Sequence, residues 1–231
     1  MRAKIDIFTP KSIKNSGKSN DFAVFWAESD SGIEILLHGV VGDEYTQTDA
    51  ASISRILSAN KTKPVTMRVN SFGGLAFDGL AIFNALAEHP GLTTGIIESV
   101  AASAASLAVI GADTVKMQAN AVYQIHEGIA GAWGHIADLR DVIDWLEKFN
   151  AAAVDTYAAK TGKSVDVISK ALLGANGDGT KYTAQEAFDM GFVDEIIPIA
   201  KSTKPKAAAK NDTLERKLTA RILAAKLDCL K

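Results

Sequence analysis

Cysteine is almost absent: the one thiol, Cys229, falls near the end of the 231 residues. No internal disulfide can form, which fits a reducing, cytoplasm-like compartment. A thiol nucleophile is disfavoured too, because chain ends hold a reacting group poorly. No uncharged apolar run reaches the roughly 18 residues that a membrane span requires. The opening Met1-Arg2-Ala3-Lys4-Ile5-Asp6 is charged and lacks the apolar core of a secretory signal. A Gly-x-x-x-x-Gly-Lys phosphate loop is missing, so any ATP-driven step belongs to a partner. Neither a cluster of metal ligands nor a cofactor motif is found, and none is expected to be needed. Histidine is scarce, with four in the chain, and this narrows the choice of a general base.

What remains is an ordinary globular composition, 47% hydrophobic and 23% charged, enough for one sizeable domain. The charge is unevenly spread. Residues 201–231 hold nine Lys/Arg against three Asp/Glu, a balance of +6, which leaves −8 over residues 1–200 of a chain whose net charge is −2. The body is therefore a poor nucleic-acid binder, and the basic tail is the one candidate for an anionic partner. Solvation alone also accounts for the tail.

Three regions are expected: a polar, mobile leader over 1–25, a body over 26–200, and a tail over 201–231. In the body, Ile33–His38 reads as a core strand, and a helix over 49–59 carries Ile53, Ile56 and Leu57 on one face. Strand 65–69, helix 77–88 and strand 92–97 follow, then the small-residue stretch 101–108. Strands alternating with helices imply a largely parallel sheet. After a strand at 123–126 comes a glycine-bearing loop, then a helix over 136–161 of about seven turns. Such length often projects toward another subunit. A helix over 165–173, a glycine-rich loop over 174–179 and a closing strand over 192–199 complete the body. In the tail, a Lys/Ala/Pro linker precedes Asp212-Thr213-Leu214-Glu215, which has capping-box form. Leu214, Leu218, Ile222 and Ala225 line one face of the helix expected beyond it, either a docking element or one that packs on its own domain.

Three elements are candidates for chemistry. Ser103 lies in Val100-Ala101-Ala102-Ser103-Ala104-Ala105-Ser106, where small neighbours leave its hydroxyl open to a substrate; a tightly packed buried helix accounts for the run equally well. Asn70-Ser71-Phe72-Gly73-Gly74 stands where a strand hands over to a helix, the usual place for ligand sites in α/β folds. Its glycines can present bare N–H groups to an oxyanion, or make an ordinary turn. His126 closes a strand, and a serine hydroxyl needs a base titrating near neutrality. Of the other histidines, His135 opens the long helix, while His38 and His89 sit near other element ends.

In order along the chain, these are Gly-Gly after a strand, Ala-Ala-Ser, Ile-His, and Thr-Ala-x-Glu-Ala-x-x-x-Gly-x-x-Asp. Together they resemble the Clp protease proteolytic subunit, and more closely the ClpP-like head maturation proteases of tailed phages and prophages. The likeness runs from about Ile33 to Ile197. The gaps agree: 29 residues from Gly74 to Ser103, 23 from Ser103 to His126 and 52 from His126 to Asp178.

That resemblance implies a crotonase-like α/β spiral of β-β-α units with a long handle helix. It implies Ser103 as nucleophile, His126 as general base, and the backbone N–H groups of Gly74 and Ala104 as the oxyanion hole. Aligning Tyr182-Thr183-Ala184 with the family motif puts Gly179 at the usual acidic position, so Asp178, one residue away, is the preferred third member. Phe72 stands where the family usually has proline, and Glu127-Gly128 departs from the usual sequence after the histidine. The implied activity is that of a serine endopeptidase, ATP-independent by itself, acting on protein substrates such as capsid or scaffold proteins. The implied setting is a homo-oligomeric ring, heptameric or stacked, in a bacterial cytoplasm or procapsid. Two alternatives stay open: an acyl-CoA hydratase or isomerase on the same fold, for which Glu98 is the nearest acid before the serine, and an assembly protein with a degenerate site.

Overall fold

The computed structural model describes residues 26–29, 32–45 and 47–200. The expected leader, the tail with its linker and helix, and Cys229 lie outside the described residues. Every element below belongs to one compact unit that ends at Pro198.

The sheet grows from apolar strands of alternating burial. On β2 (Gly32–Val41), Ile33, Ile35 and Leu37 are buried while Glu34 is exposed. On β3 (Val65–Gly74), Val65, Met67 and Val69 are buried on the same side. That period of two directs one face into the core. β2 pairs with β3, and β3 with β4 (Thr93–Ala102), all parallel, followed by β5 (Thr114–Gln118) and β8 (Glu195–Ile197). A short β1 (Trp26–Ser29) adds antiparallel to the edge of β2. β4 also pairs with β6 (Val122–Ile125), which takes β7 (Thr180–Thr183) as an antiparallel partner. The parallel α/β sheet expected from the alternation is present.

Helices α1 (Ala50–Ala59), α2 (Ala76–Ala87) and α3 (Ala104–Val109) contribute Ile53, Leu57, Ile82, Leu86 and Leu107 to one apolar core with these strands. Asp49 caps α1, its carboxylate accepting from Ser52 N at 2.9 Å. The long helix α4 (Ile136–Thr161) has the expected bounds; its capping box joins His135 and Asp138, and Gly162 ends it in the left-handed conformation. α5 (Val165–Leu173) also follows expectation, and α6 (Ala184–Met190) starts on a Thr183–Glu186 capping box.

Several boundaries differ from those read in the sequence, and two of them change the description of the body. The strand expected over 192–199 is confined to Glu195–Ile197, because Phe192 and Val193 are buried in the turn after α6 and Asp194 is engaged by its neighbours. The Asp194 carboxylate accepts from Val115 N and its own amide donates to the Val115 carbonyl. β3 also runs on to Gly74, so the glycine pair lies on the strand and not in a turn beyond it. Register shifts between His38 and Val40, and between Val69 and Ser71, bend both strands there.

α2 meets α3 at Gly79, where a Cβ would come 2.5 Å from the Ala104 carbonyl oxygen and 2.9 Å from its Cα. Gly79→Ala forces the two helices apart, and overpacking of this kind costs about 1–3 kcal/mol. We expect a lower thermal midpoint; an unchanged one would mean that the helices separate freely.

Candidate active site

Ser103 sits at the junction of β4 and α3 as the residue preceding the first helical turn. Its backbone has φ 56° and ψ −128°, and only Gln47 among the other described non-glycine residues has a positive φ. A serine in such a conformation costs on the order of 1–3 kcal/mol and persists only where its surroundings over-determine it. They do so here. Ser103 N donates to the Gln124 carbonyl of β6 at 3.1 Å, and the Ser103 carbonyl accepts from Ser106 N at 3.0 Å and Leu107 N at 3.2 Å. Ser106 Oγ donates to the same carbonyl at 2.7 Å. Since that hydroxyl has one proton, the Tyr157 hydroxyl, 2.9 Å from Ser106 Oγ, is the donor between the two. Tyr157 belongs to α4, and burial pushes its phenol well above the ordinary value, so it stays neutral.

The glycine pair has two distinct duties. Gly73 has φ 101°, and a Cβ on it would come 2.6 Å from Ser103 Cβ and 3.1 Å from Ala104 N. A Cβ on Gly74 would instead meet the Val41 carbonyl oxygen at 2.1 Å. Gly73 lets β3 approach the serine, while Gly74 lets it lie against β2. The buried Ser71 holds this end of β3: its hydroxyl donates to the Gly39 carbonyl at 2.6 Å and accepts from Gly73 N at 3.0 Å. Ala104 N belongs to the first turn of α3, where amides have no intrahelical partner. Sequence reasoning singled out Gly74 and Ala104 but missed the contact of Gly73 with Ser103, since a positive φ leaves no mark beyond the glycine itself.

Ser103 and His126 line one cleft of about 720 Å³ with Gly73, Gly74, Ala104 and Glu127. Among the described residues, no hydrogen bond joins the serine hydroxyl to the imidazole; such bonds often tighten only with substrate bound. His126 Nδ1 lies 2.6 Å from the Glu127 carbonyl oxygen. A carbonyl only accepts, so Nδ1 is the donor, and in the neutral tautomer this leaves Nε2 as the acceptor. The other histidines are engaged elsewhere: His38 with Glu98, His89 with the Lys63 carbonyl, and His135 at the α4 cap. Glu98 is also paired with Arg68 at 2.7 Å, so the carboxylate considered for acyl-CoA chemistry is already committed.

Asp178 is exposed, its carboxylate 3.4 Å from Lys181 Nζ and its carbonyl accepting from Gln124 Nε2 at 3.2 Å. Gly179, the next residue in the chain, is the one that packs against the histidine. Gly179 has φ 79°, and a Cβ there would come 2.1 Å from the Ile125 carbonyl oxygen and 2.4 Å from His126 Cβ. The position aligned with the family's acid thus has no room for a side chain in this chain. Apolar side chains, among them Val40, Phe72, Leu107, Ile129 and Phe149, make up most of the remaining wall, with Asn70, Ser71 and Tyr157 as its polar members. Phe72 is 81% exposed at the rim.

The sequence profile described as Clp protease matches residues 26–200. The chain belongs to the Clp protease family. Among curated relatives, the ATP-dependent Clp protease proteolytic subunit 3 of Streptomyces coelicolor is 28% identical over 207 residues, 87% of this chain and 93% of its own. A subunit 3 of Rhodococcus jostii is 26% identical over 178 residues, covering 76% and 86%. A subunit 1 of Leifsonia xyli subsp. xyli is 29% identical over 167 residues, covering 70% and 81%. Membership carries the ClpP-like peptidase fold, and no helix among the described residues is long and apolar enough to cross a membrane.

Gly73→Ala tests the glycine contact. The new methyl group and the φ of 101° both displace the backbone beside Ser103, and a misplacement near 1 Å costs about 10²-fold in rate. We expect fluorophosphonate labelling to slow by that order; labelling at the wild-type rate would rule out a required close approach.

Proposed function

We propose that this member of the Clp protease family is a serine endopeptidase working through an acyl-enzyme at Ser103. The observation that carries this is the strained Ser103 backbone in one cleft with a histidine whose Nδ1 is committed to a carbonyl. His126 Nε2 then takes the proton as Ser103 Oγ attacks the scissile carbonyl. The N–H groups of Gly74 and Ala104 receive the negative charge of the tetrahedral intermediate. His126 returns the proton to the leaving amine, and water hydrolyses the ester by the same route in reverse.

Asp178 serves in this scheme through its charge, from the loop beside His126, and not through a hydrogen bond to the ring. The oligomeric state is a ring built from copies of this chain. In support, α4 exposes Ile136, Leu139 and Ile143 at helical spacing, with Trp133 exposed just before it; an apolar stripe of this kind suits a protein neighbour. The substrates, capsid or scaffold proteins during head assembly, rest on the resemblance to phage maturation proteases alone. A catalytically weak assembly protein is the second reading, favoured by the absence, among the described residues, of a carboxylate on His126 Nδ1.

Ser103→Ala is expected to abolish fluorophosphonate labelling and to lower kcat on the order of 10⁶-fold; persistent labelling would remove Ser103 from its role. A burst of acyl-enzyme from an activated ester would exclude the assembly reading. Asp178→Asn should lower kcat at most about fivefold, the scale of an exposed charge interaction. A loss near 10⁴-fold, as for an aspartate bonded directly to the ring, would mean that the carboxylate reaches Nδ1 during turnover.

A further inference from the structure

The carbonyl that holds His126 is itself held. Glu127 N donates to the Leu172 carbonyl of α5 at 3.2 Å, which anchors the residue from one side. On its other side the peptide unit continues into Gly128, whose N–H donates to Asn150 Oδ1 at 2.7 Å. The Glu127 carbonyl and the Gly128 N–H belong to one rigid amide plane, so Asn150 fixes the direction in which the carbonyl points. An acceptor on the N–H of an amide also polarises its carbonyl, which strengthens that oxygen as an acceptor. Gly128 admits this approach: a Cβ there would come 2.8 Å from Phe149 Cδ1 and 3.3 Å from Asn150 Oδ1. Asn150 stands next to the buried Phe149 on α4 and is itself partly buried.

From this geometry we infer that Asn150 is a positioning residue for His126. It acts through the Glu127–Gly128 peptide unit, which takes the orienting duty usually given to a carboxylate. The chain of contacts runs Asn150 Oδ1, Gly128 N–H, Glu127 carbonyl, His126 Nδ1–H, leaving Nε2 as the base. Gly179 leaves no room for a side chain where a carboxylate would otherwise stand, so the peptide unit is the group that fixes the tautomer. The inference rests on the serine peptidase reading above.

Two variants test it in the full-length protein, with an activated ester and a fluorophosphonate as probes. Asn150→Leu keeps the volume and removes the acceptor. We expect kcat and the labelling rate to fall about 10- to 100-fold, the scale of a misdirected catalytic group, with KM unchanged, because no substrate contact is lost. Asn150→Asp keeps an oxygen acceptor and should restore both to within about threefold of wild type. Thermal midpoint and oligomer size are read for each variant. Asn150→Leu equal to wild type in kcat overturns the inference, as does a loss confined to KM. A loss that Asn150→Asp fails to restore while its midpoint and oligomer size match wild type overturns it as well. If wild type neither labels nor hydrolyses the ester, the peptidase reading fails and the inference falls with it; active wild type beside an unaffected Asn150→Leu sinks the inference alone.

Discussion

The site depends on a serine held in a backbone conformation that serine avoids. At φ 56° and ψ −128° Ser103 ends a parallel strand and starts a helix with no intervening loop, and its hydroxyl faces the cleft instead of the core. The strain has to be offset by neighbours. Gln124 of β6 takes the Ser103 amide, and three donors from α3 take its carbonyl. Glycines at 73 and 79 let β3 and α2 come within contact of Ser103 and Ala104, where any side chain would intrude. Deleting one of these supports leaves the sheet intact and loosens the serine.

Much of this was legible in the residues. Apolar alternation located β2 and β3, and the 3.6-residue recurrence along 136–161 located α4 together with its glycine stop. Ser103 and His126 could be paired because their order and gaps match a family, although neither stood out from its own neighbours. The family membership of the chain rests on the profile match over most of its length.

Other features left little trace. β1 and β7 are four residues each, too short to carry a period of their own, and β7 is specified by a partner, β6, far away in the chain. From the sequence, the glycine pair at the end of β3 reads either as a bare donor site or as an ordinary turn; what the fold adds is its close approach to β2 and to Ser103. Ser71, Asn150 and Tyr157 are ordinary polar or aromatic residues in the sequence, and only the fold gives them partners. The glycine at 179 was visible as a departure at the acidic position, but its cause, the His126 backbone and Cβ pressed against it, is a fact of packing.

α4 therefore has two unlike halves along its 26 residues. The half toward its C-terminus carries Asn150 toward the histidine and Tyr157 toward the serine; the opening turns offer Ile136, Leu139 and Ile143 on the same face, where they are exposed. Under the proposed function, assembly and chemistry thus share a single helix. On that reading, a substitution in the opening turns that tilts the helix would shift both proposed partners of the reaction at once, so a defect in activity and a defect in association need not have separate origins.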